Sequence, residues 1–538
     1  MKKIKILFPI LLLATFLFTS CVEDLNVEPI DPNVKTGNNV FKDDAAYKQA
    51  LAKLYASYAV SGQQGGGGGK GDIQGVDENF SNYLRQYWGL QELASDEAIM
   101  AWDDATIKNF HWQTWAPNDI FVMAMYSRIF FTVTISNEFI RNADARIASA
   151  SGSFLDELKA FKAEARFIRA LSYWHAIDMF GNVPFVTEEN LPGAFFPQRI
   201  TREDLFTYIE TELKAIETEL VAAKQNEYGR ADQAAAWFLL SKLYMNAEVY
   251  TGTAKYSEAL TYINKVIGAG YTIDNNYNRL FTADNHLSPE IVFPIVFDGQ
   301  NTQQYGGMTF LIHASNGGGM PLNGISSGWG GIRSIKDFVS KFNISENDFA
   351  SNPEHQSADK RGMFFFDKDS WEWNITNVGT FTQGVGVTKF KNITSTGGEA
   401  PNKHASFVST DFPMFRLADA YLMYAEAVKR GGTGGDMGTA VGYINELRGR
   451  AYGDNSGNIQ ASDVTLDFLL DERARELYWE GHRRTDLIRF GKFTNGSYVW
   501  EWKGKVKDGI QTEAYRNLYP IPTNDLNANP NLIQNNGY

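Results

Sequence analysis

Apolar residues recur along most of this chain with the 3.6-residue period of an amphipathic helix. Leu158, Phe161, Ala165, Ile168 and Ser172 are spaced 3, 4, 3 and 4 apart, which predicts one buried stripe on a helix closed by Gly181 and Pro184. Thr201-Arg202-Glu203-Asp204 predicts the start of another helix, with the Thr201 hydroxyl as its cap and Asp204 where a capping box carries Glu or Gln. The same periodicity predicts helices over 44–59, 119–149, 232–250, 255–268, 413–430, 437–450 and 463–490. Two stretches break the pattern. Residues 61–118 hold a glycine run at 65–69 and many aromatics, and residues 270–412 hold clusters of Gly, Asn, Thr and rings. Their aromatic content is unlike that of disordered segments. Long irregular stretches on a regular scaffold are where binding residues concentrate, so function is sought there.

The fold class is therefore mainly α. Ala247, Tyr250, Ala259 and Ile263 repeat a small-aromatic-small-large spacing that lets two antiparallel helices pack closely, as in tetratricopeptide hairpins. Ala425, Ala440 and Ile444 form a second copy around the insertion Gly431, Gly432, Gly434 and Gly435.

The N-terminus has a different pattern. Lys2, Lys3 and Lys5 precede an apolar run over 6–18 that is too short for a membrane span of about 20 residues. It fits a signal peptide over 1–20. The single cysteine of the 538-residue chain, Cys21, stands at its end. The expected arrangement is cleavage before Cys21, lipidation of its thiol, a tether over 21–40 containing Pro29 and Pro32, and a single domain over 41–538. Losing residues 1–20 moves the net charge from −13 to −16. Glu23-Asp24, just after the cysteine, resembles the surface-export signal of Bacteroidetes lipoproteins. The expected location is the cell outer membrane, facing outward on a lipid anchor.

Composition excludes several functions. Hydrophobic content of 43% and charged content of 21% exclude a disordered chain. A pI near 5.2 excludes a general nucleic-acid binder, which needs clustered Lys and Arg. One cysteine excludes a disulfide framework and multi-cysteine metal sites. Aromatics reach 14%, with 25 Tyr and 12 Trp. Tyr and Trp have apolar faces and polar edges, which suit flat polar ligands as well as cores.

Catalytic motifs fail. The segment Gly65–Gly71 with Lys70 has Gln64 where a phosphate loop starts with Gly, and Gly71 where Ser or Thr holds magnesium. There is no His-Glu-x-x-His. Glu472, Glu476 and Glu480 recur every four residues beside Arg473, Arg475, Arg483 and Arg484, which predicts an ion-pair network bracing the last long helix. No cofactor is expected. A structural calcium on loop carboxylates such as Asp284 and Asp298 lacks any calcium-loop spacing to support it.

Phe415-Arg416-Leu417-Ala418-Asp419-Ala420-Tyr421-Leu422 with Tyr424-Ala425-Glu426-Ala427 resembles a hallmark of the SusD/RagB family of outer-membrane nutrient-binding lipoproteins. So do Glu472-Arg473-x-x-Glu476-Leu477-x-x-Glu480-Gly481-x-Arg483-x-x-Asp486-Leu487-x-Arg489 and the end of the chain from Tyr519-Pro520-Ile521-Pro522 to Gly537-Tyr538. Upstream, Glu164–Ala170 and Phe180–Pro184 match the family's central helix and turn. The resemblance implies about four tetratricopeptide-like helix pairs with a large loop-rich ligand face. It implies no bond-breaking activity, a glycan ligand, and a TonB-dependent SusC-type barrel as partner.

The irregular regions are similar in order and spacing to those of the family's starch-binding founder. The resemblance makes Trp102, Tyr305 and Trp329 stacking platforms and Asp77 and Arg85 hydrogen-bonding helpers. Asn109 is the nearest substitute for an amide that the founder has at the position of Ile107. Trp371, Trp373, Tyr83 and Trp88 are reserve ring candidates. The expected ligand is starch or another α-glucan. The alternatives are a fructan, mannan or host glycan bound by the same fold, or a surface glycoside hydrolase.

Overall fold

The stripe of Leu158, Phe161, Ala165, Ile168 and Ser172 is buried along one helix, Gly152–Met179, in a computed structural model of the chain. The structure describes residues 40–538 except 64, 65, 67–70, 192, 194, 355 and 356. The expected signal peptide, Cys21 and nearly all of the expected tether lie outside the described residues. The chain divides into two units, Met1–Ala50 and Leu51–Tyr538, and apart from the first turns of the helix Asp44–Ala59 everything below concerns the second.

Helices supply its framework. In chain order those used here are α1 (Asp44–Ala59), α2 (Tyr83–Trp88), α3 (Lys108–Trp112), α4 (Ile120–Ile147), α5 (Gly152–Met179), α6 (Arg202–Ile216), α7 (Gln233–Met245), α8 (Tyr256–Ile267), α9 (Gly307–Ala314), α10 (Leu417–Lys429), α11 (Met437–Tyr452), α12 (Leu466–Leu477) and α13 (Arg483–Arg489). Neighbours in sequence pack as helix pairs: α4 with α5, α5 with α6, α7 with α8, and α10 with α11, while α8 also packs on α10. Ser57, in the last turns of α1, reaches Thr132 on α4 through a 3.0 Å hydroxyl hydrogen bond. The small residues behave as their spacing predicts: Ala247, Ala259, Ile263, Ala425, Ala440 and Ile444 are fully buried where helices approach. Thr201 caps α6 by accepting from the Asp204 amide at 3.1 Å. By length and composition α4 could cross a membrane, but 61% of its most apolar window is buried inside the protein, as in a core helix.

Two expected helices need correction. The stretch 413–430 opens as a strand. Phe412–Arg416 pairs antiparallel with Ile291–Ile295, Ile291 opposite Arg416 and Ile295 opposite Phe412, and α10 starts only at Leu417. Phe415 is held there by stacking on Phe238 of α7, with centroids 4.8 Å apart and planes 7° apart. The stretch 463–490 is cut into α12 and α13 by residues 478–482, where Trp479 (φ 65°) and Gly481 (φ 81°) turn left-handed. A side chain at Gly481 would strike the Tyr87 ring.

That cut changes the acid–base network. Glu480 sits beyond the helix, yet all three acids are paired. Glu472 meets Arg361, Arg448 and Arg475; Glu476 meets Arg361, Arg416 and Arg450; Glu480 meets Arg416 and Lys389. The neighbouring arginines turn to other elements: Arg473 to Asp419 and Asp486, Arg483 to Asp96, and Arg484 to Asp178. The bracing role stands, and beyond the Glu472–Arg475 pair within α12 the network joins distant parts of the chain. Buried arginine charges hold Glu472 down at about 2, against the upward push of burial.

Candidate functional site

Two short strands bring the two irregular regions together. Ile99–Met100 pairs antiparallel with Ile332–Arg333, Met100 opposite Ile332. The ladder extends one step further, with the Ala101 amide donating to the Gly331 carbonyl at 2.7 Å. Trp102 follows on one strand and Trp329 precedes on the other, so the pairing sets their rings side by side, 6.4 Å apart and tilted by 37°. The Trp102 indole N–H donates to the Trp329 carbonyl at 3.2 Å. Gly331 makes room for this: a Cβ there would lie 2.7 Å from the Trp102 ring.

Trp329 is backed by α9. Its amide donates to the His313 carbonyl at 2.8 Å, and the Gly331 amide donates to Ala314 at 2.8 Å. The His313 ring stacks on Trp329 at 4.6 Å and 26°. Burial pushes the His313 pKa down, so this backing ring is neutral. Tyr305 stands just ahead of α9, 6.2 Å from Trp329 and tilted by 51°. Gly306 allows that placement, because a Cβ would fall 2.3 Å from the Asn82 side chain, and Asn82 caps α2. Trp102, Trp329 and Tyr305 are all half-buried, with their bodies supported and part of each ring open.

The polar helpers divide. Arg85 projects from α2 and lies between two rings, its guanidinium 4.9 Å from Phe80 and 4.1 Å from Phe310. Phe310 in turn packs edge-on against Trp102 at 6.0 Å, so Arg85 belongs to the same cluster. Arg85 Nη1 donates to the Asn79 carbonyl at 3.1 Å. Burial lowers its pKa to about 10, opposed by the carboxylates of Asp104 and Asp77, and it stays charged at neutral pH. Asp77 is exposed and folds into a turn in which its carboxylate accepts the Asn79 amide at 2.9 Å. The adjacent Glu78 accepts from Gln304 Nε2 at 3.1 Å, which ties this turn to the Tyr305 loop. Asn109, on α3, faces other duties. Its amide oxygen accepts from Thr114 Oγ1 at 3.1 Å, in the loop that leads to α4.

The reserve rings are packing residues. Tyr83 and Trp88 are at most 1% exposed, bonded to His175 and to the Trp479 carbonyl. Trp371 is 4% exposed and donates to the Gly318 carbonyl, and Trp373 packs on Phe366 and Phe349. The loop carboxylates Asp284 and Asp298 have protein partners. Asp284 accepts from Thr282, the Ser395 hydroxyl and the Ser395 amide; Asp298 accepts from Asn402, Asn301 and two backbone amides. Among the described residues no group of three or more His, Cys, Asp or Glu could hold a metal ion. Sequence reasoning missed Phe310 and His313, which support the rings from behind, and Phe407, 5.1 Å beyond Tyr305. Phe310 and His313 lie on α9 inside a stretch with little helical period, and Phe407 lies in a loop much further along the chain.

Residues 289–538 match the model of the SusD family. Over its whole length the chain is 36% identical to the starch-binding protein SusD of Bacteroides thetaiotaomicron, covering 100% of this chain and 99% of that one. The chain belongs to the SusD family. Solved structures of the family share its fold. The surface glycan-binding protein A of Bacteroides thetaiotaomicron, solved with laminarihexaose, aligns with a TM-score of 0.67 at 19% identity over 92% of this chain and 99% of that one. A laminarin-binding SusD-like protein aligns with a TM-score of 0.66 at 21% identity over 91% and 99%. Members of the SusD family bind carbohydrate and are not enzymes, and this chain is not an enzyme either.

Proposed function

We propose that this SusD-family protein is a cell-surface lipoprotein that captures starch or other α-glucan chains and passes them to a TonB-dependent SusC-type barrel in the outer membrane. The observation that carries the reading is the tilted arc of Trp102, Trp329 and Tyr305. A pyranose ring has apolar C–H faces and polar edges. Aromatic faces cover the former, and charged side chains such as Asp77 and Arg85 hydrogen-bond the edge hydroxyls more strongly than neutral groups do. Successive tilts of 37° and 51° follow a curved chain better than a flat one. The backing by His313 and Phe310 pre-sets the rings, which limits the ordering cost of binding. Full-length similarity to a protein named for starch binding supports the α-glucan choice. Lipidation at Cys21 would place residues 41–538, as one domain, on the outer face of the membrane beside the barrel.

The test is a titration of the protein with maltoheptaose and, separately, with laminarihexaose, a fructan and a mannan. Heat of binding with maltoheptaose alone is expected. Binding confined to one of the other glycans overturns the α-glucan assignment.

A further inference from the structure

The chain of rings does not stop at Tyr305. Phe407 lies 5.1 Å from Tyr305 at 53°, and the His404 ring stacks on Phe407 at 4.8 Å and 26°. Phe407 is buried, so it acts as the spacer, while His404 is half-buried and presents the next open ring. Beyond it lies a cleft of about 370 Å³, lined among others by Ser326, Glu399, Lys403, His404 and Ala405. That volume falls within the range of small-molecule sites, roughly 300–1,000 Å³. Ser326 belongs to the same strap that carries Trp329, so the cleft adjoins the arc rather than standing apart from it.

The histidine is fixed for donation. Its Nδ1 accepts the backbone amides of Ser406 at 3.0 Å and Phe407 at 3.3 Å. A neutral imidazole that accepts at Nδ1 carries its proton on Nε2 and donates there. Lys403 and Glu399 pair with each other and stay 58% and 76% exposed, so both keep hydrogen-bonding capacity toward the cleft. One ring face, one N–H donor and an ion pair at a concave surface form a set suited to the edge and face of one further sugar.

We infer that His404 and the adjoining cleft form an additional subsite at the Tyr305 end of the arc, which makes the protein favour longer neutral glucan chains over short ones. This rests on the α-glucan reading above. A short oligosaccharide is held by Trp102, Trp329 and Tyr305, and only a longer one reaches His404. Lys403 and Glu399, already paired, impose no demand for a charged ligand.

The experiment is calorimetric titration of the full chain in detergent micelles with maltotriose and maltoheptaose, comparing wild type, His404→Ala and Ala405→Trp. The second variant fills the cleft from an exposed position and leaves the residues of the ring chain in place. Both variants are expected to lose about tenfold in affinity for maltoheptaose, the ratio that one aromatic contact supplies, with little change for maltotriose. Melting temperatures near wild type show that they are folded. Wild-type affinity for maltoheptaose in both variants overturns the subsite and leaves the α-glucan reading in place. A wild-type protein that binds neither oligosaccharide overturns both.

Discussion

The indole N–H of Trp102 donates to the backbone carbonyl of Trp329 at 3.2 Å, across 227 residues of sequence. One platform of the arc is thus oriented by the backbone of the next. Trp102→Phe keeps an aromatic face and deletes this bond. The expected cost to stability is small, about 1 kcal/mol. Affinity for glycan should fall severalfold, because the ring is no longer held at its tilt. Thermal melting and calorimetric titration of the same preparation separate the two effects.

Gly331 makes the sharper test of placement. Its alanine variant adds one methyl 2.7 Å from the Trp102 ring, closer than a carbon can sit, and the ring must swing away. Gly331→Ala should lose about tenfold in glycan affinity, the worth of one aromatic contact. It should also shift the tryptophan fluorescence, with the far-ultraviolet circular dichroism unchanged.

Much of the framework was legible in the sequence, because helix burial is periodic. The stripe from Leu158 to Ser172 and the Thr201 cap follow from local spacing alone. The breaks at Phe412–Arg416 and Tyr478–His482 were not legible, because both depend on partners far away. Phe412–Arg416 becomes a strand only because Ile291–Ile295 lies beside it, and Gly481 turns left-handed against Tyr87. The site divides in the same way. Trp102, Tyr305 and Trp329 were singled out through family spacing, and the rings of Trp102 and Trp329 come together through a two-residue ladder that no periodicity reveals, with Tyr305 beside Trp329. His313, Phe310, Phe407 and His404 left no trace, since supporting a ring from behind requires no fixed spacing. Asn109 was chosen by nearness in sequence, and its side chain serves the α3–α4 junction instead.

A pair of core carboxyls makes stability fall as the pH rises past neutrality. Glu92 accepts the amides of Gly481 at 2.5 Å and His482 at 2.9 Å, and Glu97 accepts the Trp479 amide at 2.8 Å. Burial pushes Glu92 up to about 7, and burial together with the charge of Glu92 pushes Glu97 upward. The folded state therefore holds a proton here more tightly than the unfolded chain does. This contribution to stability is complete below the ordinary value of 4.5 and is lost as the pH rises through about 7. Melting temperature should fall between about pH 7 and pH 8, above the range in which His111, His175 and His482, whose pKa values burial lowers, take up protons on unfolding. Glu92→Gln keeps an oxygen for both amides and adds no charge, so its melting temperature should exceed wild type at the higher pH and show a flatter profile.

The network around Arg416 supports the scaffold under the ligand face. Arg416 meets Glu290, Glu476 and Glu480 at 2.6–2.8 Å, all four side chains being 1% exposed or less. Removing one member of such a cluster leaves buried charge short of a partner. Arg416→Met should lower unfolding free energy by about 3 kcal/mol or more, measured by urea denaturation. Glycan affinity of the protein that remains folded should be unchanged, because Arg416 lies outside the arc.

The central claim is that the arc is a ligand platform and not part of the core. It is tested most directly by titrating Trp102→Ala/Trp329→Ala with maltoheptaose alongside wild type and recording the melting temperature of both. The account predicts that wild type binds, that the double variant gives no heat of binding, and that the two melt within a few degrees of each other. Wild-type affinity in the double variant, or a collapse of its melting temperature, would contradict it.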